Sequence, residues 1–199
     1  DTPGRGSSIY LKGIKTRPDY EVPGKACIDY LVSRPEVDAD RVALLGISMA
    51  GYYAPRVAAF EKRIKALVAW SGCYSVLDDL YDFCVHLQPV CQRLLGGVSH
   101  DEARRQLKNY TMAGIAQNIA CPTLFTHGDK DPITPYSLGL SAFDAAPQRW
   151  PKAFLTLSGQ GHVDPYLRRD KSSFRVVAAI TTDFLRWTLY GDTAAKGRL

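Results

Sequence analysis

The sequence predicts an α/β protein in which a parallel sheet carries a serine on a sharp turn. Four apolar runs are short enough to be buried strands, and helical segments separate the first run from the second and the third from the fourth. Two such strands joined by a helix form a right-handed βαβ unit in a parallel sheet. The predicted strands cover residues 42–45, 65–72, 121–128 and 153–157.

The first predicted strand leads directly into Gly46-Ile47-Ser48-Met49-Ala50-Gly51, and residues 52–60 have a helical pattern. A strand, a turn with a serine and a helix form the context that gives the pattern G-x-S-x-G its chemical meaning. The turn strains the serine backbone, needs small neighbours and places the hydroxyl near helix N–H groups that can stabilise an oxyanion. The match is loosened, because the fifth position is Ala50 and Gly51 follows one residue later. On this stretch alone, a serine that merely caps the helix would explain the pattern equally well.

The remaining helices follow from the spacing of apolar residues. Residues 17–33 and 136–145 are predicted helices, and residues 172–189 form a closing amphipathic helix. We expect residues 1–8 to be a loop because of their Pro, Gly and Ser content, and the tail after Tyr190 to be loose. No internal repeat interrupts this order, which is that of one domain over residues 1–199.

The segment between the second and third predicted strands is too long for a plain connection. It covers residues 74–115, and two parts of it, 78–87 and 101–107, have helical patterns. Long insertions of this kind often serve as lids or binding elements, and open α/β sheets bind ligands at the carboxyl ends of their strands. We therefore predict a helical cap that shapes a pocket over the strand ends.

Composition favours a globular domain and excludes several classes of function. Hydrophobic residues make up 46% of the 199 residues and charged residues 23%, which is typical of a folded domain with its own core. The formal net charge of +5 is scattered along the chain rather than gathered in a basic block, so we expect no nucleic-acid partner. No stretch is long and apolar enough to span a bilayer, so we expect no membrane contact.

The cysteines indicate a reducing compartment. Their number is odd, and no C-x-x-C pair occurs among them, which fits free thiols better than a disulfide framework or a zinc site. No signal peptide is recognisable. We expect a cytoplasmic protein that acts on a small-molecule substrate without a metal or a cofactor. The cysteines are Cys27, Cys73, Cys84, Cys91 and Cys121.

Two later stretches supply a base and an acid for the serine. A serine hydroxyl is a poor nucleophile near pH 7 and needs a positioned base that an acid orients. The third predicted strand is followed by His127-Gly128-Asp129-Lys130-Asp131, and the fourth by Ser158-Gly159-Gln160-Gly161-His162. The chain order is therefore Ser48, Asp131 and His162, an order that one known serine-enzyme arrangement uses.

Other candidates stay open at this point. Asp129 is the alternative acid, since it lies nearer the strand end than Asp131. Asp164 lies close to His162 in the sequence and is predicted to be a loop residue. Three further histidines are predicted to brace the structure or to face solvent, namely His127 in its own turn, His86 in the cap and His100.

These motifs resemble the α/β-hydrolase superfamily, in which a serine at a strand-to-helix turn, an acid and a histidine follow in this order. Residues 1–6, 17–20, 34–38 and 51–56 also resemble one branch of it. That branch holds fungal polyketide-shortening hydrolyases of pigment pathways, 2,6-dihydroxypseudooxynicotine hydrolases and FrsA-like esterases. The resemblance covers nearly the whole chain. Members of the branch usually carry Gly at the position of Ala50, where we expect the extra methyl to tighten the packing of the turn.

The resemblance implies a role for each residue of the site. Ser48 would attack a substrate carbonyl, and His162 would take the serine proton and later return it to the leaving group. Asp131 would hold His162 in the right tautomer, and the backbone N–H of Met49 would donate one half of the oxyanion hole. Aromatic residues are the predicted substrate contacts, with burial in the core as the alternative for those of the cap. They are Tyr52, Tyr81 and Phe83.

The implied function is hydrolysis of an acyl bond by a serine nucleophile. The branch favours a C–C bond next to a carbonyl in a polyketide or β-diketone-like substrate, because acyl transfer to serine can expel a stabilised carbanion or enol. A carboxylesterase or a peptidase of prolyl-oligopeptidase type is the enzymatic alternative. A hydrolase-like binding protein without turnover is the alternative of another class.

The resemblance also implies that the four predicted strands are the fifth to eighth of an eight-stranded sheet. The first predicted strand would then lack a neighbour and expose an apolar edge, which is an aggregation hazard. The loop that usually supplies the second oxyanion donor would also be absent from residues 1–199. We expect a longer chain or a second copy to cover the edge, and residues 1–199 alone to be poorly soluble or nearly inactive.

Overall fold

The computed structural model describes residues 1–199 and contains one parallel sheet of four strands. Neighbouring strands in the sheet are also neighbours along the chain, in the order β1-β2-β3-β4. The predicted α/β class and the four predicted strands are therefore confirmed. The strands are β1 (Val42–Ile47), β2 (Ile64–Trp70), β3 (Thr123–Gly128) and β4 (Lys152–Leu157).

α-Helices cover the sheet, and the predicted helices over 136–145 and 172–189 are present. No helix is both long and apolar enough to cross a bilayer. The helices are α1 (Gly6–Tyr10), α2 (Glu21–Val32), α3 (Met49–Phe60), α4 (Gln88–Leu94), α5 (His100–Leu107), α6 (Tyr136–Ala145), α7 (Asp164–Leu167), α8 (Ser172–Tyr190) and α9 (Thr193–Lys196).

Successive side chains of β2 point to opposite faces of the sheet, and this alternation builds two cores. Leu67 and Ala69 belong to a large cluster that includes the buried residues of α3. Ala66 and Val68 pack with Phe184 of α8 on the other face. Because both faces are covered, β2 is a continuous apolar run rather than an alternating one, which made it recognisable as a buried strand.

Three predictions are wrong: two about the ends of the chain and one about the start of α2. The expected loop at residues 1–8 contains the start of α1, where the Asp1 carboxylate accepts a hydrogen bond of 2.7 Å from the Ser7 amide. The expected loose tail contains α9, which Asp192 caps by accepting a hydrogen bond of 2.9 Å from the Ala195 amide. Helix α2 begins at Glu21 rather than at residue 17. In the first two cases a local carboxylate satisfies free helical amides, an effect that composition does not report.

Residues 74–115 contain helices, as predicted, but the first of the two predicted helices is divided into two short ones. In place of one helix over 78–87, a π-helix (Leu77–Asp82) is followed by a short 3-10 helix (Val85–Leu87). The break falls at Cys84, whose backbone leaves the helical region and whose side chain is buried. The second predicted helix corresponds to α5. Since the thiol packs inward at the break, burial rather than helical propensity decides where the first helix ends.

Strand β1 lies at the edge of the sheet, and its outer side has no strand partner. Leu45 on this strand is 46% exposed. An apolar groove of about 340 Å³ runs beside it, lined by side chains of β1, α2 and α3. The structure therefore has an open apolar edge next to the strand that carries Ser48. The five cysteines are all free thiols.

Candidate active site

Ser48 lies between β1 and α3 with a strained backbone. Its φ is 58° and its ψ is −123°, a combination that residues other than glycine rarely adopt. The Ser48 amide donates a hydrogen bond of 2.9 Å to the Trp70 carbonyl at the end of β2. Pairing with β2 therefore holds the strained turn in place at the N-terminus of α3.

The small residues around this turn are needed because two backbone segments approach each other closely. A Cβ on Gly46 would collide with the Ala50 carbonyl, and a Cβ on Gly51 would lie 2.6 Å from Gly72 Cα in the loop after β2. Ala50 itself is exposed, so the expectation that its methyl tightens the turn is wrong. The positions that must be glycine are Gly46, which meets the first turn of α3, and Gly51, which meets the loop after β2.

His162 connects Ser48 to Asp131 through two short hydrogen bonds. Its Nε2 lies 2.7 Å from Ser48 Oγ, and its Nδ1 lies 2.7 Å from Asp131 Oδ2. Asp131 follows β3 and His162 follows β4, so the three side chains meet where the parallel strands end. His162 is 8% exposed and Asp131 is 7% exposed. The structure thus brings together the serine, the acid and the histidine named from the sequence.

Donors on both oxygens hold Asp131 as a carboxylate. Its Oδ1 accepts hydrogen bonds from the Ile133 amide at 2.8 Å and the Thr134 amide at 3.0 Å, and its Oδ2 accepts one from the Thr134 hydroxyl at 3.1 Å. Burial raises the pKa of Asp131, but hydrogen bonds from His127, His162 and the Thr134 backbone outweigh it and hold the pKa well below its usual range. An ionised acid beside Nδ1 keeps the proton there and leaves Nε2 free to accept from the serine hydroxyl.

The structure separates the two candidate acids. Asp129 Oδ1 accepts a hydrogen bond of 2.7 Å from the Gly159 amide, which ties the loop after β3 to the loop after β4. Asp131, and not Asp129, is hydrogen-bonded to His162. Asp164, predicted in a loop, is the first residue of α7. Asp131 is therefore the carboxylate that orients the histidine in this structure.

The other histidines lie away from the serine. His127 Nε2 is 3.0 Å from the Thr134 carbonyl and so braces the turn that holds Asp131. His86 is exposed on the 3-10 helix. His100 is exposed as well, with its Nδ1 3.0 Å from the Tyr81 hydroxyl. Only His162 contacts both a serine hydroxyl and a carboxylate.

The structure corrects the aromatic substrate contacts. Tyr52 is fully buried, and its hydroxyl donates a hydrogen bond of 3.4 Å to the Pro18 carbonyl, because this position of α3 faces the core. Tyr81 is fully buried in the same cluster and presents no open surface to a substrate. Phe83 is 48% exposed, so among the three it alone offers surface to a ligand.

Sequence reasoning missed three residues that support the site. Ser71 has a positive φ of 41°, and its hydroxyl donates a hydrogen bond of 3.1 Å to Tyr166 Oη. Thr134 places its hydroxyl beside Asp131, as described above. The sequence does hold one signal for Thr134, since Pro132 after Asp131 predicts a turn that would fold back onto the carboxylate. Tyr166 has no such signal, because it reaches Ser71 from a distant part of the chain.

The Met49 amide is the first N–H of α3 and has no partner within the helix. It follows the serine directly and lies at the positive end of the helix dipole. This is where a donor to an oxyanion formed at Ser48 would be needed.

A parallel α/β sheet with a strained serine at a strand-to-helix turn, and with an acid and a histidine on later strand ends, defines an α/β-hydrolase. The chain belongs to the prolyl oligopeptidase family, which it matches over residues 6–191. The α/β-hydrolase resemblance seen in the sequence is therefore confirmed.

Proteins similar in sequence include bacterial and fungal hydrolases. The 2,6-dihydropseudooxynicotine hydrolase of Paenarthrobacter nicotinovorans is 31% identical over 135 residues, which are 67% of this chain and 36% of that protein. The hydrolase pyiE of Pyricularia grisea is 37% identical over 97 residues, which are 45% of this chain and 20% of that protein. The matched stretch is thus well under two thirds of each relative.

Solved structures share the fold. The 2,6-dihydroxy-pseudo-oxynicotine hydrolase superposes with a TM-score of 0.79 at 23% identity, covering 95% of this chain and 51% of its own. An acylaminoacyl peptidase of Pyrococcus horikoshii superposes with a TM-score of 0.71 at 18% identity, covering 94% of this chain and 30% of its own. This chain therefore spans about half of the first structure and less of the second.

Proposed function

We propose that Ser48, His162 and Asp131 form the catalytic triad of a hydrolase that cleaves acyl bonds. The observation that carries the proposal is the pair of 2.7 Å contacts that His162 makes with Ser48 Oγ and Asp131 Oδ2. Ser48 Oγ attacks the substrate carbonyl carbon while its proton passes to His162 Nε2. Asp131 stabilises the imidazolium that results. The Met49 amide donates to the oxyanion of the tetrahedral intermediate.

The proposed substrate class is a polyketide or β-diketone-like compound that is cleaved at a C–C bond next to a carbonyl. When the tetrahedral intermediate collapses, that bond breaks and its electron pair moves to the leaving carbon, where a second carbonyl stabilises it as an enolate. His162 returns its proton to this carbon, and water then hydrolyses the acyl-serine by the same steps in reverse roles. Two similarities support this substrate class. The sequence resembles the polyketide-shortening branch, and it is 31% identical over 135 residues to a pseudooxynicotine hydrolase.

Ester or peptide hydrolysis is the alternative reaction of the same triad. Membership of the prolyl oligopeptidase family favours it, and an acylaminoacyl peptidase of Pyrococcus horikoshii shares the fold. The chemistry at Ser48 is the same, and the identity of the leaving group alone distinguishes the two reactions. The alternative outside the enzymes is a hydrolase-like protein that binds a ligand without converting it.

We also propose that residues 74–115 form a cap over the site and that further protein covers the edge of β1. The cap proposal is supported by its start in the loop after β2, where Gly72 touches the turn of Ser48 at Gly51. Phe83 is the residue of the cap that we propose for substrate contact. The edge proposal is supported by the half-exposed Leu45 and the apolar groove beside it.

The proposed function is tested by analysing products from a panel of β-diketones, aryl ketones and short esters, with Ser48→Ala as the control. We expect paired carboxylic acid and ketone products from a β-diketone. Ester cleavage alone would replace the C–C assignment with the esterase alternative. A fluorophosphonate that fails to label Ser48 would leave the binding-protein alternative, because labelling requires an activated serine.

A further inference from the structure

A second histidine lies against the carboxylate that orients His162. His127 Nε2 is 3.3 Å from Asp131 Oδ2 and 3.0 Å from the Thr134 carbonyl. A carbonyl oxygen can only accept a hydrogen bond, so His127 carries a proton on Nε2. The side chains of His127 and Asp131 are both buried, so solvent does not screen this contact. Asp131 Oδ2 therefore faces the N–H groups of two histidines, not of one.

The position of the His127 ring is fixed by a glycine inside α6. A Cβ on Gly139 would collide with Nδ1 of His127, so no other residue fits beside the ring as it stands. Glycine within a helix costs about 1 kcal/mol relative to alanine. Tyr136 packs edge-on against the ring, with 6.0 Å between centroids. Helix α6 thus gives up intrinsic stability at Gly139 and holds His127 against Asp131.

The Thr134 hydroxyl lies among the three groups. It is 3.1 Å from Asp131 Oδ2, 3.3 Å from His127 Nε2 and 3.4 Å from His162 Nδ1. Both histidine nitrogens carry protons, so the hydroxyl proton is directed to the carboxylate. Oδ2 therefore accepts hydrogen bonds from His162 and from the Thr134 hydroxyl, and it also faces the Nε2–H of His127 at 3.3 Å.

We propose that His127 is a positioning residue that limits how strongly Asp131 holds the protonated form of His162. The inference rests on the proposed serine-hydrolase function. Each N–H or O–H group that faces Oδ2 partly neutralises the carboxylate charge and so weakens its stabilisation of the imidazolium of His162. Without the N–H of His127 beside Oδ2, Asp131 would hold the imidazolium more tightly, and activation of Ser48 would need a higher pH. His127 therefore sets the pH range in which Ser48 is activated.

The test is the rate at which a fluorophosphonate labels Ser48 between pH 5 and pH 9, measured by intact mass. Four forms of the whole protein are compared: wild type, His127→Leu, His127→Gln and Gly139→Ala. Leucine fills much of the ring volume without a donor, whereas the glutamine amide keeps an N–H near the position of Nε2. Gly139→Ala displaces the ring and leaves every donor and acceptor in the chain. Circular dichroism checks that each form is folded.

We expect the acid limb of the labelling profile to move upward by about half a pH unit in His127→Leu, and by less in Gly139→Ala. At pH 6 the rate should fall several-fold, at pH 9 it should recover, and His127→Gln should keep the wild-type midpoint. If His127→Leu does not fold, Gly139→Ala must still show the upward movement.

A purely structural role predicts lower rates at every pH with an unchanged midpoint, and that result would overturn the inference. Absence of labelling in the wild type would overturn the proposed function together with it. Labelling with an unmoved midpoint would overturn the inference alone, so the two failures are distinguishable.

Discussion

Two buried aspartates, one after β3 and one after β2, show how differently this protein treats the same side chain. Both carboxylate oxygens of Asp131 accept hydrogen bonds, whereas only one oxygen of Asp79, on the π-helix, does so. Asp79 Oδ2 accepts hydrogen bonds from the Tyr74 amide at 2.6 Å and the Ser75 amide at 2.9 Å, while Oδ1 has no partner. Asp79 is 1% exposed, so water does not complete its shell from the surface.

Because their hydrogen-bond partners differ, the pKa values of the two aspartates shift in opposite directions. Burial raises the pKa of Asp79 to about 6, and two amide hydrogen bonds do not cancel it. Burial acts on Asp131 in the same direction, but more donors face it, and the pKa falls instead. The comparison teaches that donors, and not burial, decide whether a buried acid is ionised and able to orient a histidine.

The largest expected effect concerns Ser48 and His162, the two residues that Asp131 helps to activate. Ser48→Ala and His162→Ala should each lower kcat by about 10⁶-fold, because the nucleophile and its base act as one unit. The unfolding temperature should stay near the wild-type value, since neither side chain contributes to the core. Turnover of an accepted ester or diketone measures the first effect and calorimetry the second. Residual activity above a thousandth of wild type in both variants would contradict the assignment.

The next effect sharpens the comparison through stability. The folded pKa of Asp79, about 6, lies above its unfolded value of about 4, so the folded state binds the proton more tightly. Its contribution to stability is therefore lost as pH rises from about 4 to about 6. Asp79→Asn removes this loss and should raise the free energy of unfolding above pH 6 by on the order of 2 kcal/mol.

Urea unfolding at pH 4.5 and pH 7, run on wild type and Asp79→Asn, measures that difference. Asparagine keeps an oxygen for the Tyr74 and Ser75 amides, so the loop after β2 should remain closed. For Asp131 the sign is reversed: its stabilisation is present above about pH 4 and is lost as the pH falls below that. Equal stability of wild type and Asp79→Asn at both pH values would remove the distinction between the two aspartates.

The smallest expected effect concerns the edge beside Ser48. Leu45→Lys places a charge on the open side of β1 and should weaken self-association of residues 1–199 by about tenfold, or 1.4 kcal/mol. Leu167→Lys on α7 is the matched control, because Leu167 is also exposed but does not line the groove beside β1. Sedimentation velocity over a concentration series gives the comparison. If wild-type residues 1–199 stay monomeric at every concentration, the edge of β1 needs no cover.

Much of the fold was predictable because its signals are local. Buried parallel strands are continuous apolar runs, so β2 and β3 were found within a few residues of their ends. The turn at Ser48 and the histidine after β4 were found because strand ends in such sheets hold the polar residues. Helix α6 was predicted with its bounds because its apolar spacing and flanking prolines are both local.

What could not be predicted depends on contacts between distant residues. The resemblance implied Asp131, but the residues by themselves left Asp129 open, because two residues of spacing do not fix which carboxylate turns toward His162. Tyr52 was expected at the site because it follows Ser48, but one turn of α3 carries it into the core. The unpartnered oxygen of Asp79 lies on a π-helix, which no spacing pattern announces.

The most direct test of the central claim is the second-order rate of fluorophosphonate labelling at Ser48 in Asp131→Asn and Asp79→Asn at pH 7. Asparagine at position 131 would favour the wrong tautomer of His162, so we predict a fall of about 10⁴-fold. Asp79 is hydrogen-bonded to the Tyr74 and Ser75 amides and not to Ser48, His162 or Asp131, so we predict a rate within about threefold of wild type for Asp79→Asn. A comparable fall in both variants, or a wild-type rate in Asp131→Asn, would contradict the assignment of Asp131 as the acid that activates Ser48.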